Sequence, residues 1–440
     1  MSKIKVRFAP SPTGFMHIGN TRTALFNWLW AKKLGGEFML RIDDTDKVRS
    51  KKEYEDAIRD NLLWLGLTWS EEARQSARFD RYNEVTEKLK AEGRIYACYE
   101  TAEELEFKRK RLMAKGLPPI YDRQALSYTA EDIARFEAEG RKPHYRFKLL
   151  PGEIKWQDIV RGEVKYDAEN LSDPIIIRED GSFLYHLPSV IDDYDFGITH
   201  IVRGEDHVTN TASQVQMFEA LGGECPVFAH LPLLTGKEGK LSKRLGSLGV
   251  SELRAEGVEA MAINSFLAKL GTSEAIEPFY DLESLASTLD FSKIGRSQPK
   301  FDEEELKHFN TRLVHGIPYE NVKSRISVKE EFWNIVKANL DTVNDIHTWE
   351  QICNQNVEPI LEDTDLTNSA ADVLPAEPWD ENTFSLWMNE VKTLSGKKGK
   401  ELFHPIRKAL TALDNGPELK LLLPLIGRDK AYKRLKGEAA

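Results

Sequence analysis

Residues 7–20 read RFAPSPTGFMHIGN, and this stretch decides the fold. The residues around its start, Lys3 to Phe8, predict a short strand, which the proline- and glycine-rich run 10–14 ends. Apolar residues at helical spacing follow within 25–29, and a second strand is predicted from Glu37 to Ile42. Strand, loop, helix and strand in this order indicate the start of a parallel α/β sheet.

The bulk composition is that of an ordinary globular protein with no membrane segment. At 440 residues, 41% of them hydrophobic and 30% charged, the chain is long enough for about two to four domains. No apolar run approaches the roughly 20 residues that span a bilayer. Three cysteines without Cys-x-x-Cys spacing suit a reducing compartment, and the first residues lack the apolar core of a signal peptide. The composition therefore favours the cytoplasm.

Beyond the first strands, the pattern predicts a mixed insertion and then a helical half. The stretch from about Tyr99 to His144 is predicted to be helical, with a capping box at Thr101 and a helix stop at Gly116. Asp180-Gly181 predicts a tight turn between short strands, after which the α/β domain resumes. From about residue 249 onward the spacing is helical, except that the acidic, proline-containing segment 358–381 predicts an exposed connection.

Two short motifs, more than 200 residues apart, carry residues suited to a nucleotide phosphate. The first, Met16-His17-Ile18-Gly19-Asn20, opens the predicted helix, where unpaired backbone N–H groups and the helix dipole favour an anion. Gly19 leaves room for a nucleotide, and His17 can donate to a phosphate oxygen. The second, Lys240-Leu241-Ser242-Lys243-Arg244, presents three cations and a hydroxyl, which suit a reacting triphosphate. Each motif alone would also fit an incidental loop.

The charge pattern leaves the partner open. A net charge of −10 disfavours a nucleic acid, because phosphate contacts need positive charge. Residues 392–440 differ from this total, with 12 lysines and arginines against five acidic residues and thus a local charge of +7. The charge pattern alone favours a solvated basic helix face as the explanation of this tail.

Together and in this order, the two motifs resemble the HIGH-like and KMSKS-like signatures of class I aminoacyl-tRNA synthetases. The resemblance implies a Rossmann-type catalytic domain that binds ATP between the motifs. His17 and Lys243 would stabilise the α-phosphate while the carboxylate of the amino acid attacks it. Because the substrate is its own nucleophile, no Ser–His–Asp or Cys–His pair is required, and catalysis would consist of positioning and charge stabilisation.

The flanking segments narrow the resemblance to bacterial-type glutamyl-tRNA synthetase over essentially the whole chain. These segments are 7–14, 40–46, 185–186, 202–206, 396–400 and 416–419. The implied activity is the conversion of L-glutamate and ATP to glutamyl-adenylate, with transfer to the 3′ end of tRNA(Glu); tRNA(Gln) stays open as a second acceptor. Arg203 is the expected reader of the glutamate side chain, because a guanidinium offers a planar pair of donors. Asp43 would face the substrate ammonium.

The resemblance assigns three groups of residues. The glutamate-binding residues would be Arg7, Ala9, Ser11, Asp43, Tyr185, Ser189 and Arg203. The ATP-binding residues would be His17, Gly19, Asn20, Glu205, Leu234, Lys240, Ser242, Lys243 and Arg244. The catalytic residues would be His17, Lys240 and Lys243. The alternatives are a solvated acidic turn at 43–46 and a structural pair between Arg203 and Glu205.

Three positions depart from the family pattern. Asn20 replaces the last His of the HIGH-like motif, and it can still donate to a phosphate or ribose. Asp43 stands where Glu is usual and is one methylene shorter, which should shift the ammonium contact. Ser189 occupies a position where Asn is common.

The resemblance also implies cofactors and partners. These are ATP with Mg²⁺, tRNA and L-glutamate, with no membrane, and the protein is expected to be a monomer. Some relatives hold zinc in the insertion through Cys-x-Cys and a later Cys and His. Here the matching stretch is Cys98-Tyr99-Glu100, and 121–125 supplies no further ligand, so no zinc or other protein-bound metal is expected.

Five domain segments are predicted. They are 1–93 and 179–246 as the two halves of the Rossmann-type catalytic domain, 94–178 as a mixed α/β insertion on the acceptor stem, 247–321 as a helical stem-contact domain and 322–440 as an all-α anticodon-binding region. The basic tail would then lie near the anticodon arm.

Other classes of protein share parts of this pattern. A catalytically silent RNA-binding paralogue would show degraded motifs, whereas both motifs here keep their essential residues. The truncated glutamyl-queuosine tRNA enzyme lacks an anticodon-binding half, so the helical region 322–440 argues against it. A Rossmann-type oxidoreductase is excluded because no Gly-x-Gly-x-x-Gly follows the first strand.

Overall fold

The structure, a computed structural model, describes residues 3–236, 248–380 and 382–440. The chain divides into two compact units. Unit 1 comprises Met1–Leu253 and Asn264–Asp302, and unit 2 comprises Arg254–Ile263 and Glu303–Ala440.

Unit 1 contains all the described strands. They are β1 Lys5–Phe8, β2 Glu37–Ile42, β3 Glu71–Arg74, β4 Ile95–Cys98, β5 His144–Phe147, β6 Glu153–Asp158, β7 Gly162–Asp167, β8 Ile175–Ile177, β9 His200–Gly204 and β10 Val227–Leu231. Two sheets carry the parallel pairs. The first has the order β1-β2-β3 and is parallel throughout, and the second has the order β7-β6-β10-β9, in which only β6 and β7 are antiparallel.

The two parallel arrangements meet at β1 and β9. The backbone N–H of Thr199, just before β9, donates to the carbonyl oxygen of Lys5 over 2.9 Å. β1 and β9 therefore lie side by side, and their carboxyl ends are close together. In open α/β sheets such a switch point opens a crevice at the carboxyl ends of the strands.

Ten described helices begin before residue 303. They are α1 Ile18–Lys33, α2 Lys52–Trp64, α3 Phe79–Ala91, α4 Ala102–Ala114, α5 Ala130–Ala138, α6 His186–Asp195, α7 Val208–Leu221, α8 Val250–Ala255, α9 Ala260–Lys269 and α10 Leu282–Ser287. In α1 the residues at helical spacing, Leu25, Trp28 and Leu29, are buried as predicted.

A hydrophobic core joins the strands of unit 1 to α3, α6 and α7. Tyr82 on α3, Phe147 on β5, Phe218 on α7 and Phe228 on β10 are almost fully buried within it. Burying each such side chain contributes about 1.5–3 kcal/mol relative to exposure. The core thereby fixes the strand ends that surround the crevice.

The predicted insertion has mixed secondary structure. β4, β5 and β8 form a small antiparallel sheet, while β6 extends the sheet of β10 and β9. The capping box at Thr101 is confirmed at the start of α4. The stop predicted at Gly116 is confirmed, since α4 ends at Ala114 and Gly116 has φ +71°. The rest of the stretch 99–144 is only partly helical, because residues 117–123 between α4 and α5 are not helical. The Asp180-Gly181 turn is confirmed: Gly181 has φ +81° and the Arg178 N–H donates to the Ser182 carbonyl.

Unit 2 is helical over its larger segment, as predicted. Its helices are α11 Glu303–Gly316, α12 Tyr319–Val322, α13 Glu330–Val336, α14 Ile346–Asn354, α15 Thr364–Asp372, α16 Thr383–Ser395, α17 Lys400–Thr411, α18 Leu419–Ile426 and α19 Arg428–Leu435. Trp333 and Trp387 are its largest fully buried side chains, and each indole N–H donates to a backbone carbonyl oxygen. An α/β first half followed by a helical half confirms the predicted fold class.

The exposed connection predicted over 358–381 is wrong. Residues 364–372 form α15, in which Leu366, Ala370 and Ala371 are buried. Asp363 caps this helix by accepting from the Leu366 N–H over 3.1 Å. The acidic residues therefore mark a helix start, where a negative charge is favourable, and not a linker.

None of the described helices combines the length and the apolar character that crossing a bilayer requires.

Candidate active site

A cavity of about 440 Å³ opens at the carboxyl ends of β1, β9 and β10. This is the switch point at which doubly wound sheets bind ligands. The predicted residues that line the cavity are Arg7, Ala9, Ser11, His17, Gly19, Asn20, Tyr185, Ser189, Arg203 and Leu234. The structure thus brings residues predicted to bind glutamate and residues predicted to bind ATP into one cavity of unit 1.

The remaining predicted residues lie elsewhere. Asp43 borders a second cavity of about 660 Å³, which shares Ser11 and Tyr185 with the first. Glu205 stands behind the wall of the first cavity. Lys240, Ser242, Lys243 and Arg244 lie outside the described residues.

His17 caps the helix that follows it. Its Nδ1 accepts hydrogen bonds from the backbone N–H groups of Gly19 and Asn20 over 3.2 and 3.3 Å. An imidazole that accepts at Nδ1 carries its proton at Nε2 when neutral. Burial lowers the pKa of His17, so the neutral ring is favoured at pH 7. His17 therefore offers one defined donor, Nε2–H, at the cavity.

The free N–H groups expected at this helix start are not free. The N–H groups of Gly19 and Asn20 bond to the His17 ring, that of Ile18 to the carbonyl of Leu248, and that of Thr21 to the carbonyl of His17. The sequence correctly suggests a helix N-terminus at the site, but it does not show that the histidine of the motif occupies it. The helix dipole still points its positive end toward the cavity.

Arg203 is a buried cation held by neutral groups. Its Nη1 donates to the Tyr185 hydroxyl over 2.9 Å, and its Nη2 donates to Thr211 Oγ1 and Gln214 Oε1 over 2.6 and 2.7 Å. Its Nε donates to His230 Nε2 over 3.3 Å. Burial lowers the pKa of Arg203, yet an arginine stays protonated in proteins. Its positive charge therefore lacks a bonded carboxylate among the described residues.

Arg7 has the opposite surroundings. Its Nε and Nη2 donate to the two carboxylate oxygens of Asp193 over 3.0 and 3.3 Å. Asp193 also accepts from Arg41 Nη1 over 2.6 Å, and the two arginines keep the pKa of this buried carboxyl below its usual value. Ser189 adds an acceptor to Arg41 through its hydroxyl at 3.1 Å. Arg7 is thus oriented by a charge network beneath the cavity.

Asp43 belongs to that network. Both of its oxygens accept from Arg41, at 2.7 and 3.1 Å, and the residue is 5% exposed. Burial raises the pKa of Asp43 to about 6 in spite of Arg41. The predicted acidic turn is therefore a buried ion pair at Asp43 and not a solvated loop. In this geometry one carboxylate would serve both Arg41 and a substrate ammonium, and the second role stays a prediction.

Glu205 braces the cavity wall. Its Oε1 accepts from the Leu233 N–H over 3.2 Å and from Gln298 over 2.7 Å, while its Oε2 accepts from Arg161 over 2.9 Å. Within the part of the chain that the structure describes, Arg203 and Glu205 do not form the ion pair that was considered as an alternative. Glu205 bonds to the backbone of Leu233, next to Leu234, which lines the cavity. In this conformation Glu205 would therefore influence ATP indirectly, by positioning Leu234.

Arg22 was missed by the sequence analysis. It lines the cavity from α1 and is 2% exposed. Its Nη atoms donate to the carbonyls of Pro232 and Leu270, but its Nε has no hydrogen-bond partner among the described residues. Burial lowers the pKa of Arg22 to about 10, so it is still a cation at neutral pH. The helical spacing after His17 was the available signal, since residue 22 lies about one turn beyond residue 18.

Within the described ranges, no group of three or more His, Cys, Asp or Glu side chains is placed to hold a metal ion. Cys98 is buried, and the Tyr121 hydroxyl lies 3.8 Å from its Sγ. Tyr121 in turn donates to Glu100 over 2.8 Å.

Two family models match the chain. One, described as tRNA synthetases class I (E and Q), catalytic domain, matches residues 3–308. The chain belongs to the class I tRNA synthetases. The other, described as an anticodon binding domain, matches residues 276–438. The synthetase thus has the two-part organisation that its helical second half suggested.

Full-length relatives of this synthetase are glutamate–tRNA ligases. Glutamate–tRNA ligase 1 of Maricaulis maris is 53% identical, and the match covers 99% of this chain and 100% of the relative. Glutamate–tRNA ligase of Azospirillum brasilense is 52% identical, with the same coverage of 99% and 100%. A crystal structure of a glutamate tRNA ligase from Elizabethkingia meningosepticum, in complex with its amino acid, matches with a TM-score of 0.84 and 27% identity, covering 99% of this chain and 98% of that one.

Proposed function

We propose that this synthetase is a glutamate–tRNA ligase. It activates L-glutamate with ATP to glutamyl-adenylate and pyrophosphate, and it then transfers the glutamyl group to the 3′ end of tRNA(Glu), releasing AMP. The full-length relatives support the reaction. The match of the anticodon binding model over 276–438 argues against the truncated glutamyl-queuosine enzyme, which lacks that half.

The observation that carries the choice of amino acid is the bonding of Arg203. A buried cation surrounded by neutral acceptors is electrostatically incomplete, and an anionic ligand group completes it. Arg7, the other arginine of the cavity, already has Asp193 as a partner. The carboxylate of a glutamate side chain is therefore stabilised most strongly at Arg203, whereas the neutral amide of glutamine is stabilised less.

His17 and the 240–244 loop would act on the ATP. The defined Nε2–H donor of His17 suits an α-phosphate oxygen whose charge grows as the glutamate carboxylate attacks phosphorus. Lys240, Ser242, Lys243 and Arg244 would stabilise the departing pyrophosphate, with Mg²⁺ supplying further positive charge there. Gly19, Asn20 and Leu234 would contact the nucleotide, and Arg22 joins them as a cation of the same cavity wall.

The remaining proposals concern domains and partners. We assign 1–93 and 179–246 to catalysis, 94–178 to the acceptor stem, 247–321 to the tRNA stem and 322–440 to the anticodon arm. ATP with Mg²⁺, L-glutamate and tRNA are the partners, and no zinc is bound. The protein acts as a monomer in the cytoplasm.

Amino-acid-dependent exchange of pyrophosphate into ATP tests the activation step. Glutamate should support exchange and glutamine should not, in assays with and without tRNA. Arg203→Ala should lower kcat/KM for glutamate by at least about 30-fold, because the substrate carboxylate loses its partner in a desolvated site. Arg81→Ala, which removes an exposed arginine on α3, is the control. Exchange by Arg203→Ala at the wild-type rate would remove Arg203 from this role.

A further inference from the structure

Three adjacent strands carry a chain of buried polar side chains that ends at Arg203. Asp158 closes β6, His230 lies in β10, and Arg203 lies in β9 in register with His230. His230 Nδ1 lies 2.5 Å from Asp158 Oδ2, and Arg203 Nε donates to His230 Nε2 over 3.3 Å. His230 is 0% exposed and Asp158 is 3% exposed, so water does not compete for these contacts.

The contacts determine the tautomer of His230. A carboxylate only accepts, so the short contact to Asp158 requires the proton on Nδ1. A guanidinium only donates, so Arg203 requires a lone pair on Nε2. Both conditions hold only for the neutral ring that is protonated at Nδ1. Thr211 Oγ1 lies 2.9 Å from Nε2, and its hydroxyl can donate to the same lone pair. Burial lowers the pKa of His230, which agrees with a neutral ring.

Backbone groups fix Asp158 in the orientation that this requires. Its Oδ1 accepts from the N–H groups of Val160 and Arg161 over 3.0 and 2.9 Å, and from that of His230 over 3.3 Å. Only Oδ2 is left for the imidazole. The side chain of Asp158 is therefore immobilised by its own loop and cannot turn away from His230.

We propose that Asp158 and His230 are positioning residues for glutamate selection, which act by holding Arg203. Asp158 sets the tautomer, and His230 then accepts from Arg203 Nε and turns the guanidinium toward the cavity. Because the imidazole stays neutral, it orients Arg203 without neutralising it, and the charge stays available for the substrate carboxylate. The inference rests on the proposed role of Arg203 as the reader of that carboxylate.

Asp158→Asn is the decisive variant, because the new amide has one acceptor where the carboxylate has two. Three backbone donors converge on the Oδ1 position, so the amide oxygen should take that place and the NH₂ group should face His230. His230 must then accept at Nδ1 and carry its proton at Nε2. That proton faces both Arg203 Nε and Thr211 Oγ1, which lies 2.9 Å from Nε2 and also accepts from Arg203 Nη2. Arg203 consequently loses its acceptor on His230 and is displaced.

The tautomer can be read directly. In protein with ¹⁵N-labelled histidine, the two ring nitrogens of His230 should show an Nδ1–H tautomer in the wild type and an Nε2–H tautomer in Asp158→Asn. His230→Gln assigns the signals by removing them. An Nε2–H tautomer or an imidazolium in the wild type at pH 7 would overturn the inference without any variant having to be active.

Kinetics provide the second readout. In tRNA charging, Asp158→Asn should raise KM for glutamate on the order of tenfold, with kcat changed much less and with weaker discrimination against glutamine. Asp173→Asn is the matched control: Asp173 is 0% exposed and accepts from Tyr96 and Arg123, but it has no contact with Arg203. It should leave KM for glutamate unchanged.

A double-mutant cycle separates positioning from general damage. His230→Gln keeps an amide oxygen near the position of Nε2 but has no atom at Nδ1 for Asp158. Adding Asp158→Asn to His230→Gln should therefore leave KM for glutamate within about twofold, because the tautomer no longer exists to be changed. Additive effects of the two substitutions on KM would contradict the coupling.

Arg203→Ala distinguishes the two possible failures. If Arg203→Ala abolishes glutamate activation while Asp158→Asn keeps the wild-type KM and tautomer, the positioning role fails and the proposed function stands. If Arg203→Ala keeps wild-type glutamate kinetics, the proposed reading of the substrate fails, and this inference fails with it.

Discussion

The carboxylate of Asp193 holds the guanidinium of Arg7 through two hydrogen bonds, of 3.0 and 3.3 Å, although 186 residues separate them in the chain. Arg7 lies in β1, one residue before the strand ends at the cavity, whereas Asp193 lies on α6 beneath it. Arg41 bonds to the same Asp193 oxygen as Arg7 Nε. One buried carboxylate is therefore shared by two buried cations, and it holds both of them in place below the cavity.

Asp193→Asn should lower the free energy of unfolding by about 3–5 kcal/mol, because it leaves Arg7 and Arg41 buried without their shared counter-charge. Urea unfolding of the purified protein measures the loss. Asp195→Asn is the control on the same helix, where the carboxylate bonds to the more exposed Arg81, and it should cost about 0–1 kcal/mol. Equal losses of unfolding free energy in the two variants would show that the buried network stabilises the fold no more than an exposed ion pair does.

Gly19→Ala should lower activity without lowering stability. A Cβ atom at residue 19 would lie 3.1 Å from Cε1 and 3.2 Å from Nδ1 of His17, so the imidazole must shift. A displaced Nε2–H donor should reduce pyrophosphate exchange on the order of tenfold. The higher helix propensity of alanine should offset the weaker His17 cap of α1, so the Tm should change little. Exchange rates and the Tm test both parts. Gly14→Ala, which meets no atom within 4 Å, is the control, and wild-type exchange in Gly19→Ala would contradict the assigned position of His17.

The local patterns of the sequence were sufficient for the fold class and for most of the cavity. Residues 7–20 place a strand, a loop and a helix start in a fixed order, and the cavity forms where these three meet. Arg203 was predictable because the resemblance assigns it and because a guanidinium suits a carboxylate. The order of neighbouring elements along the chain, together with the chemistry of single side chains, was therefore enough to predict these features.

The partners of those residues were not predictable, since they come from distant parts of the chain. Nothing in the sequence near Arg7 indicates Asp193, and nothing near Arg203 indicates His230 or Asp158. The prediction of an exposed connection over 358–381 failed for a different reason. Its acidic residues and prolines outnumber the few apolar residues of α15, but tertiary packing decides that those few are buried.

His144 should make the fold sensitive to acid. The residue is 4% exposed, and burial together with the neighbouring Arg146 lowers the pKa of His144 to about 4. The unfolded chain binds a proton there at about pH 6.5, so between roughly pH 6.5 and 4 the unfolded state holds more protons and stability falls as the pH falls. His144→Phe should reduce the pH dependence of the unfolding free energy by up to about 1.4 kcal/mol per pH unit in this window. Urea unfolding between pH 4 and 7 provides the measurement, and an unchanged slope would contradict a neutral buried His144.

Purified protein should contain well below one zinc ion per chain. Burial raises the pKa of the Cys98 thiol to about 12, whereas zinc binds the thiolate. Glu100 and Tyr121, which lie near Cys98, bond to each other over 2.8 Å. Elemental analysis after purification without added metal tests this expectation. A stoichiometric zinc signal that disappears in Cys98→Ser would show that the insertion holds a metal after all.

The last prediction concerns the tRNA, and it depends on which cations of the basic tail are free. Several are paired inside unit 2: Lys397 bonds to Asp363, Lys408 to Glu362 and Lys436 to Asp372. Arg434 is buried and donates to three backbone carbonyls. The local charge of +7 therefore overstates the positive potential that reaches the surface.

Lys398 and Lys400 are exposed at the junction of α16 and α17, next to Gly396 and Gly399. If they contact tRNA phosphates, each replacement by Ala should reduce the slope of log K against log salt concentration by roughly 0.7 to 0.9 and weaken binding. Lys408→Ala removes a cation already paired with Glu362 and Asp414, so it is the matched control and should leave the slope unchanged. Titration of tRNA at several salt concentrations gives the slopes of the wild type and the three variants. Deleting the tail would be a poorer test, because α17 and α19 pack against α15 and their loss would expose the core of unit 2. Identical slopes for the wild type and both lysine variants would mean that this basic surface is solvated and does not contact RNA.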